Sequence, residues 1–351
     1  MRFIARRALR ILLVLLPGLW LLATTARADL VWTPSTGWRI EGGALSGLAG
    51  PEGRNALSQM NKARSAEESG RLRSAIKTYN NIGKRYPNSI YAPEALYRAA
   101  MLYLKRRDWD KAFLTFQQVL GRYPNTRRFD EIIGQQYRIA AALLDGARGR
   151  IFWGLLPGFR QREKSIGYFE TILANAPYSD YAPLSLMNIA RGHAYLNQTE
   201  EAIDALDRMI NTYPQSILTP DAYLKLAQTD ARLVDGPYYD QAATKESISY
   251  FTDFMLLYPA DPNIGAAENG LDQMKTMLAE SKIKIGDFYF KKRDNYKAAR
   301  VFYNEAITAY PDSAVAKVAK DKLAQVDAAE KRNAPLAPGV PAPKKKHFWF
   351  F

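Results

Sequence analysis

Six prolines close stretches whose apolar positions share one register. Twelve residues before each proline stands a small residue, eight before it a bulky apolar or aromatic one, and directly before it usually a tyrosine. The sets are Ala75, Tyr79, Tyr86 and Pro87, then Ala112, Phe116, Tyr123 and Pro124, then Ser165, Phe169, Ala176 and Pro177. They continue with Ala202, Leu206, Tyr213 and Pro214, with Ser247, Phe251, Tyr258 and Pro259, and with Ala299, Tyr303, Tyr310 and Pro311. Apolar residues four and seven positions after the small one make a helical stripe. The small residue lets a neighbouring helix approach closely, and the proline cannot continue the helix.

A second helical stretch precedes each set. Leu96, Ala99, Ala100 and Tyr103 share one face, as do Leu186, Ile189, Ala190 and His193, and Tyr223, Leu226, Ala227 and Ala231. Pro93, Pro183 and Pro220 open these helices, where a missing N–H costs nothing and the fixed φ is already helical. One proline therefore closes helix B of a unit, and the next opens helix A of the unit that follows. The prolines are spaced 37, 53, 37, 45 and 52 residues apart, with the small–aromatic–proline pattern of the tetratricopeptide repeat. The expected fold is all-α, a right-handed α-solenoid of about six tetratricopeptide-like helix pairs over residues 55–332, with B helices ending near 87, 124, 177, 214, 259 and 311. A closing helix follows Pro311, with Val315, Val318, Ala319, Leu323 and Val326 expected inward.

The ends read differently. Residues 1–28 carry a basic start, the apolar run "ILLVLLPGLWLL" and an Ala26–Arg27–Ala28 ending, the pattern of a signal peptide cleaved before Asp29. Twelve apolar residues fall short of the roughly 20 needed to span a bilayer. Loss of the leader's five arginines lowers the formal charge from +14 to +9, and export argues against nucleic acid as partner. Residues 29–54 are expected to be an irregular segment. A Pro-rich linker (333–343) leads to a basic–aromatic tail (344–351), in which Lys344, Lys345 and Lys346 precede Phe348, Trp349, Phe350 and Phe351. Such a cluster suits a lipid interface or a partner's pocket, and the expectation is peripheral membrane contact.

The chemistry is sparse. The chain has no cysteine and two histidines, His193 and His347, and no phosphate-binding glycine loop. No cofactor, metal or catalytic constellation is expected, and His193 reads as a packing residue. A solenoid instead offers a groove, lined by helix A residues that point away from helix B. By helical spacing these are Tyr97, Met101 and Lys105, then Met187, Arg191 and Tyr195, then Leu224, Gln228 and Arg232. Methionine, tyrosine and arginine anchor peptides while tolerating sequence variation. The insertion from Asp145 to Arg162 sets Ile151, Phe152, Trp153, Leu155, Leu156 and Phe159 between arginines. It either folds back on the helices or exposes an apolar patch.

The long helical run after Tyr258–Pro259, the "GDFYFKKRDNYKAA" turn and the closing "YPDS" resemble the outer-membrane assembly lipoproteins of the BamD (YfiO) type, over about Asn55 to Val326. The resemblance implies a non-enzymatic periplasmic scaffold at the outer membrane, working with a BamA-like barrel protein on unfolded outer-membrane proteins. It also implies substrate recognition in the N-terminal half and BamA docking in the C-terminal part. The family's lipid-bearing cysteine is missing here, and six units stand where five are usual. These departures leave open a general periplasmic repeat adaptor resembling the Tol–Pal coordinator.

Overall fold

The computed structural model describes residues 29–41, 51–151, 156–234, 236–237 and 241–333. The leader, almost all of the linker and the basic–aromatic tail lie outside them. The chain divides into two compact units, Met1–Ser185 and Leu186–Phe351. Among the described residues stand thirteen helices and two hairpins, and no helix is long and apolar enough to cross a membrane.

The helices form six antiparallel-type pairs and a closing helix, which is the all-α tetratricopeptide architecture. The pairs are α1 (Pro51–Glu68) with α2 (Leu72–Arg85), α3 (Ala92–Lys105) with α4 (Trp109–Arg122), and α5 (Phe129–Leu144) with α6 (Arg162–Asn175). Then come α7 (Tyr181–Tyr195) with α8 (Thr199–Thr212), α9 (Thr219–Leu233) with α10 (Gln241–Leu257), α11 (Ile264–Arg293) with α12 (Tyr296–Ala309), and finally α13 (Ala314–Asn333). Every B helix stops two residues short of its proline.

The register explains the core. All six small residues (Ala75, Ala112, Ser165, Ala202, Ser247, Ala299) and all six bulky partners (Tyr79, Phe116, Phe169, Leu206, Phe251, Tyr303) are buried. Where the small residue is polar it finds a backbone acceptor, as Ser247 Oγ donates to the Ala227 carbonyl at 2.8 Å. The tyrosine before the proline can tie one pair to the last, as Tyr123 donates to the Pro87 carbonyl at 2.7 Å. Helix α11 is built to receive aromatic rings. A Cβ added at Gly270 would lie 2.3 Å from the Phe251 ring, and one at Gly286 would lie 2.6 Å from the Tyr303 ring. Glycine there makes room for each B-helix aromatic.

Among the described residues, each A-to-B connection contains one residue of positive φ: Gly70, Arg107, Gly146, Asn197, Gly236 and Asp294. Glycine, Asn and Asp suit that conformation, whereas an arginine there is strained by about 1 kcal/mol.

Three expectations are corrected. Residues 29–41 are a hairpin, with β1 (Asp29–Thr33) antiparallel to β2 (Gly37–Glu41), rather than irregular chain. Alternating Leu30, Trp32, Trp38 and Ile40 and the positive φ of Gly37 support the turn. Helix α1 begins at Pro51, ahead of Asn55, because proline suits the first helical position. On α13, Val318 is 47% exposed, and Ala316, Ala319 and Val326 take the inward stripe, with Val315 and Leu323 partly buried beside it. The insertion holds a second hairpin, β3 (Arg148–Ile151) and β4 (Leu156–Arg160), with a register shift between Arg148 and Arg150.

Candidate functional site

In the first unit the A-helix faces carry a chain of alternating cations, carboxylates and rings. Arg64 of α1 pairs with Glu67 at 3.2 Å and Glu68 at 2.9 Å, and its guanidinium covers the Trp32 ring at 4.2 Å. Arg98 of α3 lies 4.6 Å over Trp38, 3.9 Å from Glu67 and 2.9 Å from Glu94. Glu94 in turn accepts from Arg128 at 2.8 Å, and Arg128 reaches Glu131 of α5 at 2.7 Å. The hairpin is fastened onto this surface: the Trp38 amide donates to Asn61 Oδ1 at 2.8 Å, and Trp38 is buried. The chain's own N-terminal hairpin thus occupies the face that α1 and the start of α3 present.

Tyr97, expected to line a groove, is buried here. Arg128 stacks on its ring at 4.4 Å and its hydroxyl donates to Glu131. Burial first, then the Glu131 carboxylate, push its pKa well above the usual tyrosine range. Partial burial works against ionised Glu131, yet the hydrogen bonds from Tyr97 and Arg128 hold it below the ordinary carboxylate value. On the same helix Met101 is half-buried and Lys105 is exposed. Helical spacing places the three residues on one face of α3, and Arg128, brought in by the next pair, covers its middle. Glu94 and Arg98, four apart on α3, are a legible sign of this network; Arg128 and Trp38 are not.

In the second unit α7 presents Met187 half-buried and Arg191 and Tyr195 exposed. His193 is partly buried, its Nδ1 2.9 Å from Gln198 Oε1. On α9, Gln228 is half-buried and Arg232 exposed, but Leu224 belongs to the core with Phe251, Phe254, Leu271 and Met274. Leu224 fails as a groove residue because α10 and α11 close over it. Asp230, one of the residues between, is buried with Oδ2 unpartnered. Burial, with Glu246 and Asp207 adding repulsion, raises its pKa to about 7. Among the described residues no three acidic or histidine side chains cluster as metal ligands.

The C-terminal end is fastened by residues of the "GDFYFKKRDNYKAA" turn. Gly286 receives the Tyr303 ring, and Asp287 accepts from the Tyr303 hydroxyl at 2.6 Å and from Lys322 of α13 at 2.7 Å. Tyr289 stacks on Phe302 with centroids 5.4 Å apart. Three helices therefore meet at one carboxylate. The family model described as outer membrane lipoprotein (YfiO) matches residues 159–332, which contain all of this end.

That match takes in just under half of the chain and marks residues 159–332 as similar to a YfiO domain. Ahead of it, the tetratricopeptide repeat model matches 57–89 and 94–126, the first two helix pairs. The YfiO match is narrower than the resemblance read over Asn55 to Val326. An outer membrane protein assembly factor BamD from Caulobacter vibrioides is 30% identical over 129 residues, 36% of this chain and 42% of that protein. The BamD of Rickettsia prowazekii is 28% identical over 151 residues, 43% of this chain and 60% of that protein. The chain thus spans about half the length of these curated relatives. A solved tetratricopeptide repeat protein from Parabacteroides merdae is 13% identical, covering 78% of this chain and all of its own, with a TM-score of 0.31. The residues that seat Tyr303 and Lys322 lie inside the YfiO match, whereas the hairpin-covered faces of α1 and α3 lie outside it.

Proposed function

We propose that the protein is a non-enzymatic scaffold of outer-membrane protein assembly at the periplasmic face of the outer membrane. The YfiO match, together with the BamD relatives, carries this reading. In it, exposed A-helix residues of the second unit, Arg191, Tyr195 and Arg232, take extended segments of unfolded barrel proteins, supported by half-buried Met187 and Gln228. Met101 and Lys105 extend that surface on α3. The C-terminal end docks a BamA-like barrel protein, and the tail from Lys344 to Phe351 adds a reversible membrane contact.

Co-purification from solubilised envelopes tests the partner. A BamA-like protein retained with the chain supports the reading, while a Tol–Pal-type partner in its place favours a general adaptor. For the groove, the probe is a C-terminal peptide from an outer-membrane barrel. Arg191→Ala with Tyr195→Ala is expected to weaken its binding about tenfold at unchanged melting temperature. Equal affinity removes these residues from the site.

A further inference from the structure

The first unit holds a concentration of positive charge, of which the proposed assembly role uses Lys105 alone and which includes Arg73 and Arg107 without ion-pair partners among the described residues. The α1–α2 and α3–α4 turns enclose a cleft of about 920 Å³ lined by Arg71, Arg73, Lys105, Arg106, Arg107 and Lys111. One carboxylate, Asp108, lies in the lining, and Arg106 already holds it at 3.6 Å. The next carboxylate, Asp110, is taken by Lys164 at 2.7 Å and by the Tyr168 hydroxyl at 2.8 Å. Arg73, Lys105 and Arg107 are exposed and make no ion pair among the described residues. Helix α2 also opens at this cleft without a side-chain cap, which adds the positive end of its dipole.

Comparison among the turns argues that the charge is selected. The five equivalent positive-φ positions hold Gly70, Gly146, Asn197, Gly236 and Asp294, residues that suit the conformation. Among the described residues, this turn alone places an arginine at positive φ, 59°. The backbone favours glycine or asparagine, so the cation answers a different demand. A second cleft of about 260 Å³ shares Arg107, Asp108 and Lys111 and continues to Phe159 of β4, whose side chain is 83% exposed.

We propose that this basic cleft binds the phosphate headgroups of an anionic phospholipid bilayer, with Phe159 entering the interface beside them. Guanidinium forks match phosphate oxygens in pairs. A ring at the rim of a cation cluster suits a surface that is charged outside and apolar beneath. An acidic polypeptide would engage the cations but would leave Phe159 in water. The inference rests on no part of the assembly reading.

The test is co-sedimentation of the full chain, and of the chain with Lys344–Phe351 deleted so that the separately proposed tail contact is removed, with vesicles of phosphatidylcholine alone and with added phosphatidylglycerol. The variants are compared in the tail-deleted background. Binding is expected only with the anionic lipid and should fall as salt rises. The triple variant Arg73→Gln, Lys105→Gln, Arg107→Asn should bind at least about tenfold more weakly. Arg107→Asn alone should melt at or above the wild-type temperature, since asparagine suits positive φ, while still weakening binding. That opposite movement separates a ligand role from a structural one. Phe159→Ser should reduce the binding that survives high salt. Wild-type affinity in the triple variant overturns the proposal. So does displacement from vesicles by glycerophosphate at matched phosphate, which would mark a free-phosphate site, or tighter binding to polyglutamate, which would mark an acidic polypeptide. Co-purification of the BamA-like partner with the triple variant is read separately and is expected to persist.

Discussion

In the first unit, neighbouring helix pairs are joined across their A faces by charge, through Arg98 to Glu67 and Glu94 and through Arg128 to Glu94 and Glu131. In the second, aromatic rings are seated on glycines of one long helix, Phe251 over Gly270 and Tyr303 over Gly286. Ion pairs of Asp287 with Lys322, Lys282 with Glu305 and Arg300 with Asp327 tie the last helices together. Among the described residues, the helices of the first unit seat only the aliphatic Leu96 against Gly83 and the Tyr181 hydroxyl end against Gly134. Partly exposed ion pairs contribute about 1 kcal/mol or less each and tolerate rearrangement. A ring lodged against a glycine tolerates none, because protein interiors are close-packed. The YfiO match covers the end of the first unit and the second unit through residue 332, including both ring-on-glycine seats, and the general tetratricopeptide matches fall on the first two helix pairs. A ring seated on a glycine demands specific sequence at both positions, whereas an ion pair demands only opposite charge within reach.

The contrast breaks most visibly at the glycines. Gly270→Leu and Gly286→Leu should each lower stability by about 3 kcal/mol, since the added atoms meet rigid buried rings. Urea unfolding of purified variants measures this; a loss below that of a surface substitution would remove the steric account. Next come Ala112→Leu and Ala202→Leu, one in each unit, at positions 0% and 2% exposed. Both should cost about 2 kcal/mol, and an unchanged melting temperature in both would sink the register.

Asp287→Asn sharpens the comparison through pH. Partial burial alone would raise the Asp287 pKa, but hydrogen bonds from Lys322 and Tyr303 hold it below the ordinary value. Its stabilisation is therefore full above the unfolded carboxylate pKa and is lost as pH falls through the lower folded value. The variant should be about 1.5 kcal/mol less stable at neutral pH, and the gap should close in acid below about pH 4. Asp230 behaves oppositely. With its folded pKa raised from 3.8 to about 7, the native state holds a proton that the unfolded chain has lost. Stability should fall as pH climbs between those values and level off above about 7. Asp230→Asn should flatten that slope and gain about 1 kcal/mol at pH 8. Melts across the pH range decide both, and parallel curves for Asp230→Asn and wild type would discard the buried-acid account.

The helix pairs were legible because their signal is local: small, bulky, tyrosine and proline at fixed spacing on one helix each. The hairpin at 29–41 carried its own local signal in Leu30, Trp32, Trp38 and Ile40, but two strands alone are marginal, and this pair rests on Asn61 and Arg98. Which of the candidate groove residues are exposed was not legible. Helical spacing places Tyr97 and Leu224 among them, but Arg128 covers one and α10 with α11 cover the other. Those covering groups come from other helices, and periodicity within one helix contains nothing about them. The cation cleft escaped for the same reason, since Arg71 and Arg73 meet Lys105 and Arg107 only when two turns stack.

Helix α11 has a consequence for how the molecule comes apart. It runs for 30 residues, about 45 Å, and seats the aromatic of the pair before it and of its own pair roughly four turns apart. Repeat proteins ordinarily fray from their ends one unit at a time, each lost with little effect beyond its neighbour. Here a rod spanning two interfaces makes the last pairs leave together or stay together. Amides of α10 and α12 should therefore exchange with solvent at matched rates, while those of α2 and α4, linked only by the 14-residue α3, should differ more. The same rod forbids the commonest change in repeat lineages: removing one pair from this end would leave half of α11 with its glycines facing no ring.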